Sequence, residues 1–278
     1  MANRERNLTG SEAGKGIPFR ALVPNMVTSL ALCTGLSAIW FAFSGRWEAA
    51  VAAVLVAGAL DALDGRVARL LKGESRFGAE LDSLSDVIAF GVTPAMIMFL
   101  WSLQYMPRFG WTACLFYALC CALRLARFNA RIDDEDQPHK SLGYFTGVPS
   151  PAGAGLVLLP LIVTIAWNDH FSGQPEASHI VDYDYYFVAP WLFFVAVLMI
   201  SSIATYSITS LRLRRRIRFE AIAVVGLLGA AFITAPWLTL SALLFFYVLM
   251  LPVSLIGYRK IRRRRAAGLP AAKEPGAA

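Results

Sequence analysis

Residues 61–86 read DALDGRVARLLKGESRFGAELDSLSD, and an apolar run flanks them on either side. Asp61, Asp64, Asp82 and Asp86 therefore stand where each acid is expensive, and an ionisable group at membrane depth marks a functional site by default. Asp61 and Asp64 are spaced i, i+3; Asp82 and Asp86 are spaced i, i+4. Residues three or four apart share one face of a helix. The link LLKGESRF (70–77) is short enough to join two antiparallel helices, so all four carboxylates can converge at the membrane boundary. Close carboxylates repel one another unless protons or cations compensate. An all-oxygen cluster suits a hard cation such as Mg2+, Mn2+ or Ca2+. Four carboxylates can hold two ions if some bridge, and a pair of ions is a recurrent device of phosphoryl chemistry.

The neighbouring residues fit a phosphate ligand. Gly65 follows Asp64, Gly78 precedes Asp82 by four, and Ala68 lies four after Asp64. Small side chains let a bulky ligand approach the backbone closely. Arg66 and Arg69 can balance phosphate charge; the bland alternative for them is two arginines snorkelling from a polar hairpin.

The rest of the chain is greasy. Of 278 residues, 57% are hydrophobic and 16% charged, against about a quarter charged in a typical soluble domain. Apolar segments long enough for a membrane helix are expected near 22–44, 47–70, 86–106, 110–130, 151–167, 187–209, 219–235 and 237–257. This predicts an all-α polytopic membrane bundle of about eight helices. With the N-terminus inside, the five basic clusters, including RLRRRIR (212–218) and RKIRRRR (259–265), fall on one side. The loop 168–186, without Lys or Arg, falls on the other. That asymmetry puts both termini in the cytoplasm. Basic clusters at helix ends suit anionic membrane lipids and not nucleic acid. The four cysteines (33, 114, 120, 121) read as small hydrophobes without metal spacing. The three histidines form no cluster. No cleavable signal peptide is read at the N-terminus. The expected divisions are a polar tail (1–20), a membrane core (21–215), a helical hairpin (216–258) and a basic flexible tail (259–278).

The spacing D-x2-D-G-x2-A-R-x8-G-x3-D-x3-D, met by Asp61, Asp64, Gly65, Ala68, Arg69, Gly78, Asp82 and Asp86, resembles the signature of the CDP-alcohol phosphotransferases. The resemblance implies a membrane helical bundle, a pair of divalent cations (Mg2+ or Mn2+) and a CDP-linked substrate from which CMP leaves. VPNMVTSLALCTGLSA (23–38), SDVIAFGVTPA (85–95), LRLARFN (123–129) and FTGVPSPAGAG (145–155) are similar to the membrane-type phosphatidylserine-synthase branch of that family. This branch implies CDP-diacylglycerol and L-serine as substrates. A multi-pass protein of the inner membrane with a cytoplasmic-side site is expected, and so is a homodimer.

On this reading Asp61, Asp64, Asp82 and Asp86 are the metal ligands, and Asp86 also acts as general base. Asp61, Gly65, Ala68, Arg69 and Gly78 receive CDP-diacylglycerol. Serine brings a carboxylate, which a guanidinium can clamp bidentately. Arg124, Arg127, Asn129 and Ser150 are the candidates for holding it, with positive-inside anchoring the alternative for each arginine. Ser150, in PSP (149–151), is also expected to cap the helix that follows. Two other functions stay open: a family member with glycerol phosphate, inositol phosphate or choline as acceptor, and a divalent-cation transporter.

Overall fold

The computed structural model describes residues 19–73, 75–130, 144–146, 148–172, 184–201, 204–206 and 218–250. Helices α1 (Phe19–Phe43) and α2 (Trp47–Leu71) form an antiparallel hairpin. Its turn passes through Gly45 at φ +70°, a conformation that costs a Cβ-free residue nothing. α2 ends as Lys72 enters the left-handed region at φ 48° and the Gly73 N–H donates to the Ala68 carbonyl at 3.0 Å. The chain turns back at once, because Ser75 caps the next helix by accepting the Gly78 N–H at 3.0 Å.

That helix, α3 (Arg76–Trp101), is a single span built of two α-helical pieces around a π-helical turn at Val87–Val92. Such turns interrupt the regular ladder and are frequent at functional sites; this one begins directly after Asp86. Its Phe90 carbonyl is satisfied from α4 (Pro107–Ala130) by the fully buried Tyr117 hydroxyl at 2.8 Å. α5 runs over Ser150–Trp167 and α6 over Asp184–Ile200. Pro160 inside α5 has no N–H for the Leu156 carbonyl one turn back, and the Trp191 indole N–H of α6 donates to that carbonyl instead, at 2.7 Å. α7 (Arg218–Thr234) and α8 (Pro236–Met250) follow. The strands Tyr144–Thr146 and Ala204–Tyr206 pair antiparallel, with Phe145 opposite Thr205.

Close helix approach relies on small residues, as in membrane bundles generally. A Cβ on Gly35 of α1 would lie 3.0 Å from the Ala89 Cβ of α3. One on Gly91 would lie 3.1 Å from the Cys121 Cβ of α4. The core between α3, α4, α5 and α6 holds Phe90, Ile97, Met98, Tyr117, Leu158, Ile162 and Leu192. Outside it, large apolar side chains such as Trp40, Phe43, Phe109 and Ile233 face outward, a surface suited to lipid and not to water. Leu22–Phe43, Arg76–Trp101, Arg108–Ala130 and Ser150–His170 are long and apolar enough to cross a membrane. The protein is a polytopic membrane helical bundle.

The expected segments match α1, α2, α4, α5 and α7 to within a few residues. α3 begins at Arg76, well before the expected 86, so Asp82 and Asp86 lie inside it and not at its first turn. α6 ends at Ile200 instead of near 209. The tails, the clusters at 212–217 and 259–265 and most of the loop 168–186 lie outside the described residues.

Tyr117→Phe removes the donor and leaves the Phe90 carbonyl buried without its partner. The expected loss is about 1–3 kcal/mol, read as a lower thermal midpoint in detergent. An unchanged midpoint would mean that the π-helical turn is held by other contacts.

Candidate metal centre and active site

The hairpin of α2 and α3 brings the aspartates together as their spacing requires. One carboxylate oxygen each from Asp61, Asp64 and Asp82 lies within 4.8 Å of the others. Asp64 is the most enclosed, at 5% exposure. Its Oδ2 accepts a hydrogen bond from the Thr28 hydroxyl of α1 at 2.6 Å. Asp86 lies beside Asp61. Its Oδ1 is buried without any partner. No Lys or Arg forms a salt bridge with the four acids among the described residues.

An all-carboxylate set with one buried oxygen unused fits a hard divalent cation, which takes oxygen ligands and supplies the missing positive charge. Asp61, Asp64 and Asp82 have the proximity to hold one, and Asp86 adjoins them.

The two glycines of the motif have different surroundings. A Cβ on Gly65 would meet nothing within 4 Å, which leaves that backbone open to a ligand. A Cβ on Gly78 would lie 2.7 Å from Asn25 Oδ1 and 3.1 Å from Ser75 Oγ. Gly78 therefore makes room for α1 and for its own helix cap. Ala68 is half-buried, and Arg66 and Arg69 are exposed.

A second polar group adjoins the first. Arg124 of α4 donates from one guanidinium NH2 group to the Ser150 hydroxyl at 2.6 Å. Ser150 is 1% exposed, Arg124 Nε is buried without a partner, and Arg124 interacts electrostatically with Asp86. Ser150 is not the cap expected from sequence: α5 starts at Ser150 itself, Pro149 holds the cap position without a side-chain bond, and the hydroxyl is engaged by Arg124. Arg127 donates to the Ile200 carbonyl at 3.1 Å, a cation at the C-terminal end of α6 where it suits the helix dipole. Asn129 donates to the Ser83 hydroxyl at 2.8 Å, tying α4 to the residue after Asp82.

Thr28 and Asn25 escaped sequence reasoning. The signal was present: two polar residues i, i+3 on a mostly apolar helix share a face, and that face meets α2 and α3.

These features define a membrane enzyme of the phosphoryl-transfer kind, and comparison gives the family. Residues 21–199 match the family model described as CDP-alcohol phosphatidyltransferase, and residues 216–252 match CDP-alcohol phosphatidyltransferase 2. The chain belongs to the CDP-alcohol phosphatidyltransferase family. It is similar to the CDP-diacylglycerol–serine O-phosphatidyltransferase of Mycobacterium bovis, 35% identical over 238 residues that make up 86% of this chain and 79% of the relative. It is 39% identical to the enzyme of that name from Helicobacter pylori over 142 residues, 51% of this chain and 58% of the relative. With the Saccharomyces cerevisiae enzyme of that name it shares 43% over 108 residues, 38% of each.

Partners that orient a metal ligand typically contribute 10- to 100-fold in affinity. Thr28→Val keeps the shape but removes the bond to Asp64. Mn2+ binding followed by electron paramagnetic resonance is expected to weaken by about tenfold, with Thr28→Ser close to wild type. Equal affinity in all three proteins would separate Thr28 from the metal site.

Proposed function

We propose that the protein transfers the phosphatidyl group of CDP-diacylglycerol to the hydroxyl of L-serine, giving phosphatidylserine and CMP. The observation that carries this reading is the adjacency of two groups. The carboxylate cluster of α2 and α3 lies beside a buried arginine held by Ser150 with one N–H unused. The first, once loaded with divalent cations, suits a pyrophosphate; the second suits an acceptor that carries its own carboxylate. The similarity to serine O-phosphatidyltransferases over 86% of the chain supports the same acceptor.

Asp61, Asp64 and Asp82 hold the divalent cations in this proposal, with Asp86 completing the set. Two Mg2+ or Mn2+ ions bound there would neutralise the pyrophosphate and make CMP a better leaving group. The open backbone at Gly65, with Ala68 a turn further along α2, admits the cytidine and phosphates, and Arg69 offers positive charge at the rim. Arg124 binds the serine carboxylate and so sets the hydroxyl towards Asp86. Asp86 accepts the hydroxyl proton as the serine oxygen bonds to the lipid phosphorus and the bond from that phosphorus to the CMP oxygen breaks. Arg127 and Asn129 serve the same pocket indirectly, by holding the end of α6 and the Ser83 turn of α3 against α4. The acyl chains remain in the bilayer between helices.

The charge asymmetry of the loops supports a multi-pass protein of the inner membrane, with eight spans and with both termini and the site on the cytoplasmic side. A homodimer is the proposed assembly.

Offering CDP-diacylglycerol with labelled serine, glycerol phosphate, inositol phosphate or choline tests the acceptor. The expected products are phosphatidylserine and CMP from serine alone; a phosphatidyl product from another alcohol, with none from serine, would overturn the proposal. Asp86→Asn tests the base. A positioned general base typically contributes 10²–10⁴-fold, so kcat should fall by about a hundredfold or more with CDP-diacylglycerol binding retained. Lost donor binding with unchanged kcat would make Asp86 a donor ligand instead.

A further inference from the structure

Two buried polar groups without partners bear on the acceptor pocket. Arg124 Nε carries no hydrogen bond, and neither does the hydroxyl of Tyr247. The two residues interact electrostatically, although Tyr247 belongs to α8, in the part of the chain that matches the second family model.

The packing accounts for this closeness. A Cβ on Gly155 of α5 would lie 3.1 Å from Leu244 of α8. Tyr247 is three residues beyond Leu244, on the same face and about 4.5 Å further along the axis. Ser150, the partner of Arg124, stands at the start of α5. Tyr247 thus shares the face of α8 that meets α5 at Gly155. Tyr247 also packs against the main core together with Leu240, Leu244 and Val248.

A phenylalanine would fill this place without leaving a hydroxyl unpaired. Buried polar groups of a folded protein are nearly always paired, and each exception calls for an explanation. Here two donors face one another's surroundings: an arginine N–H, which can only donate, and a tyrosine O–H. The ligand that satisfies both is an anion with two acceptor oxygens set side by side.

We propose that Tyr247 binds the acceptor: its hydroxyl donates to one oxygen of the acceptor carboxylate while Arg124 Nε–H donates to the other. This rests on the reading of serine as acceptor and extends it, because it assigns the C-terminal hairpin of α7 and α8 a part in acceptor choice. An amino alcohol without the carboxylate, such as ethanolamine, gains nothing from this pair.

Tyr247→Phe tests it, with wild type in parallel and both serine and ethanolamine offered as acceptors. Losing a hydrogen bond to a charged group should raise the serine KM by about tenfold or more. The preference for serine over ethanolamine should fall by a similar factor. The KM for CDP-diacylglycerol, kcat at saturating serine and the thermal midpoint should stay as in wild type. An unchanged serine KM overturns the inference. So does a rise in the CDP-diacylglycerol KM alone, which would put Tyr247 on the donor, and so does a joint change of both KM values with a lower midpoint, which would make it a packing residue. If wild type forms no phosphatidylserine, the acceptor reading itself fails and this inference with it. If wild type forms it and Tyr247→Phe matches wild type throughout, only the role of Tyr247 fails.

Discussion

Repulsion among four carboxylates is the constraint around which this bundle is arranged. Asp61, Asp64 and Asp82 present oxygens within 4.8 Å of one another, and Asp86 touches Asp61. At an effective dielectric of about 20, two unit charges roughly 4–5 Å apart repel by about 3–4 kcal/mol. A fold that brings four together must offset that repulsion elsewhere or have it neutralised by what binds. Among the described residues, the Thr28 hydroxyl on Asp64 gives partial relief. In the proposed reading a cation supplies the remainder, which would tie assembly of the site to its ligand.

The scaffold that bears this load is correspondingly tight. Ser75 caps α3 only because Gly78 leaves room for its hydroxyl and for Asn25 of α1. α1 thus serves twice, as packing partner of the α2–α3 link and as donor to Asp64. Past Asp86 the π-helical turn shifts the register of α3, and Tyr117 takes up the Phe90 carbonyl there. Arg124 lies two turns further along α4 than Tyr117. One buried face of α4 therefore both secures the turn and reaches the acidic cluster.

The acidic half of the site was legible in the sequence because its geometry is local. Spacings of three and four within helices, joined by a short link, leave the carboxylates few places to go. The bundle was legible for a similar reason, since apolar length alone marks a membrane helix. What escaped depends on contacts between distant segments. Nothing near Ser150 says that its hydroxyl belongs to Arg124, and without that contact it reads as a helix cap. Gly78 and Gly65 look alike in a motif, yet one is filled by Asn25 and the other faces open space. The start of α3 was set too late because residues 76–85 are polar and charged; the Ser75 cap and not hydrophobicity begins that helix. Arg124 and Arg127 could not be ranked from sequence, and their partners now separate them, a buried serine for one and an exposed helix end for the other.

In the proposed reading the α2–α3 carboxylates hold divalent cations against a pyrophosphate. Crystals grown with Mn2+ and CDP-diacylglycerol, measured at the manganese absorption edge, test it most directly. The expected result is anomalous density between Asp61, Asp64 and Asp82, close to Asp86, with the donor phosphates adjoining it on the open side of Gly65. Well-ordered donor density with no anomalous peak among these four carboxylates would contradict it.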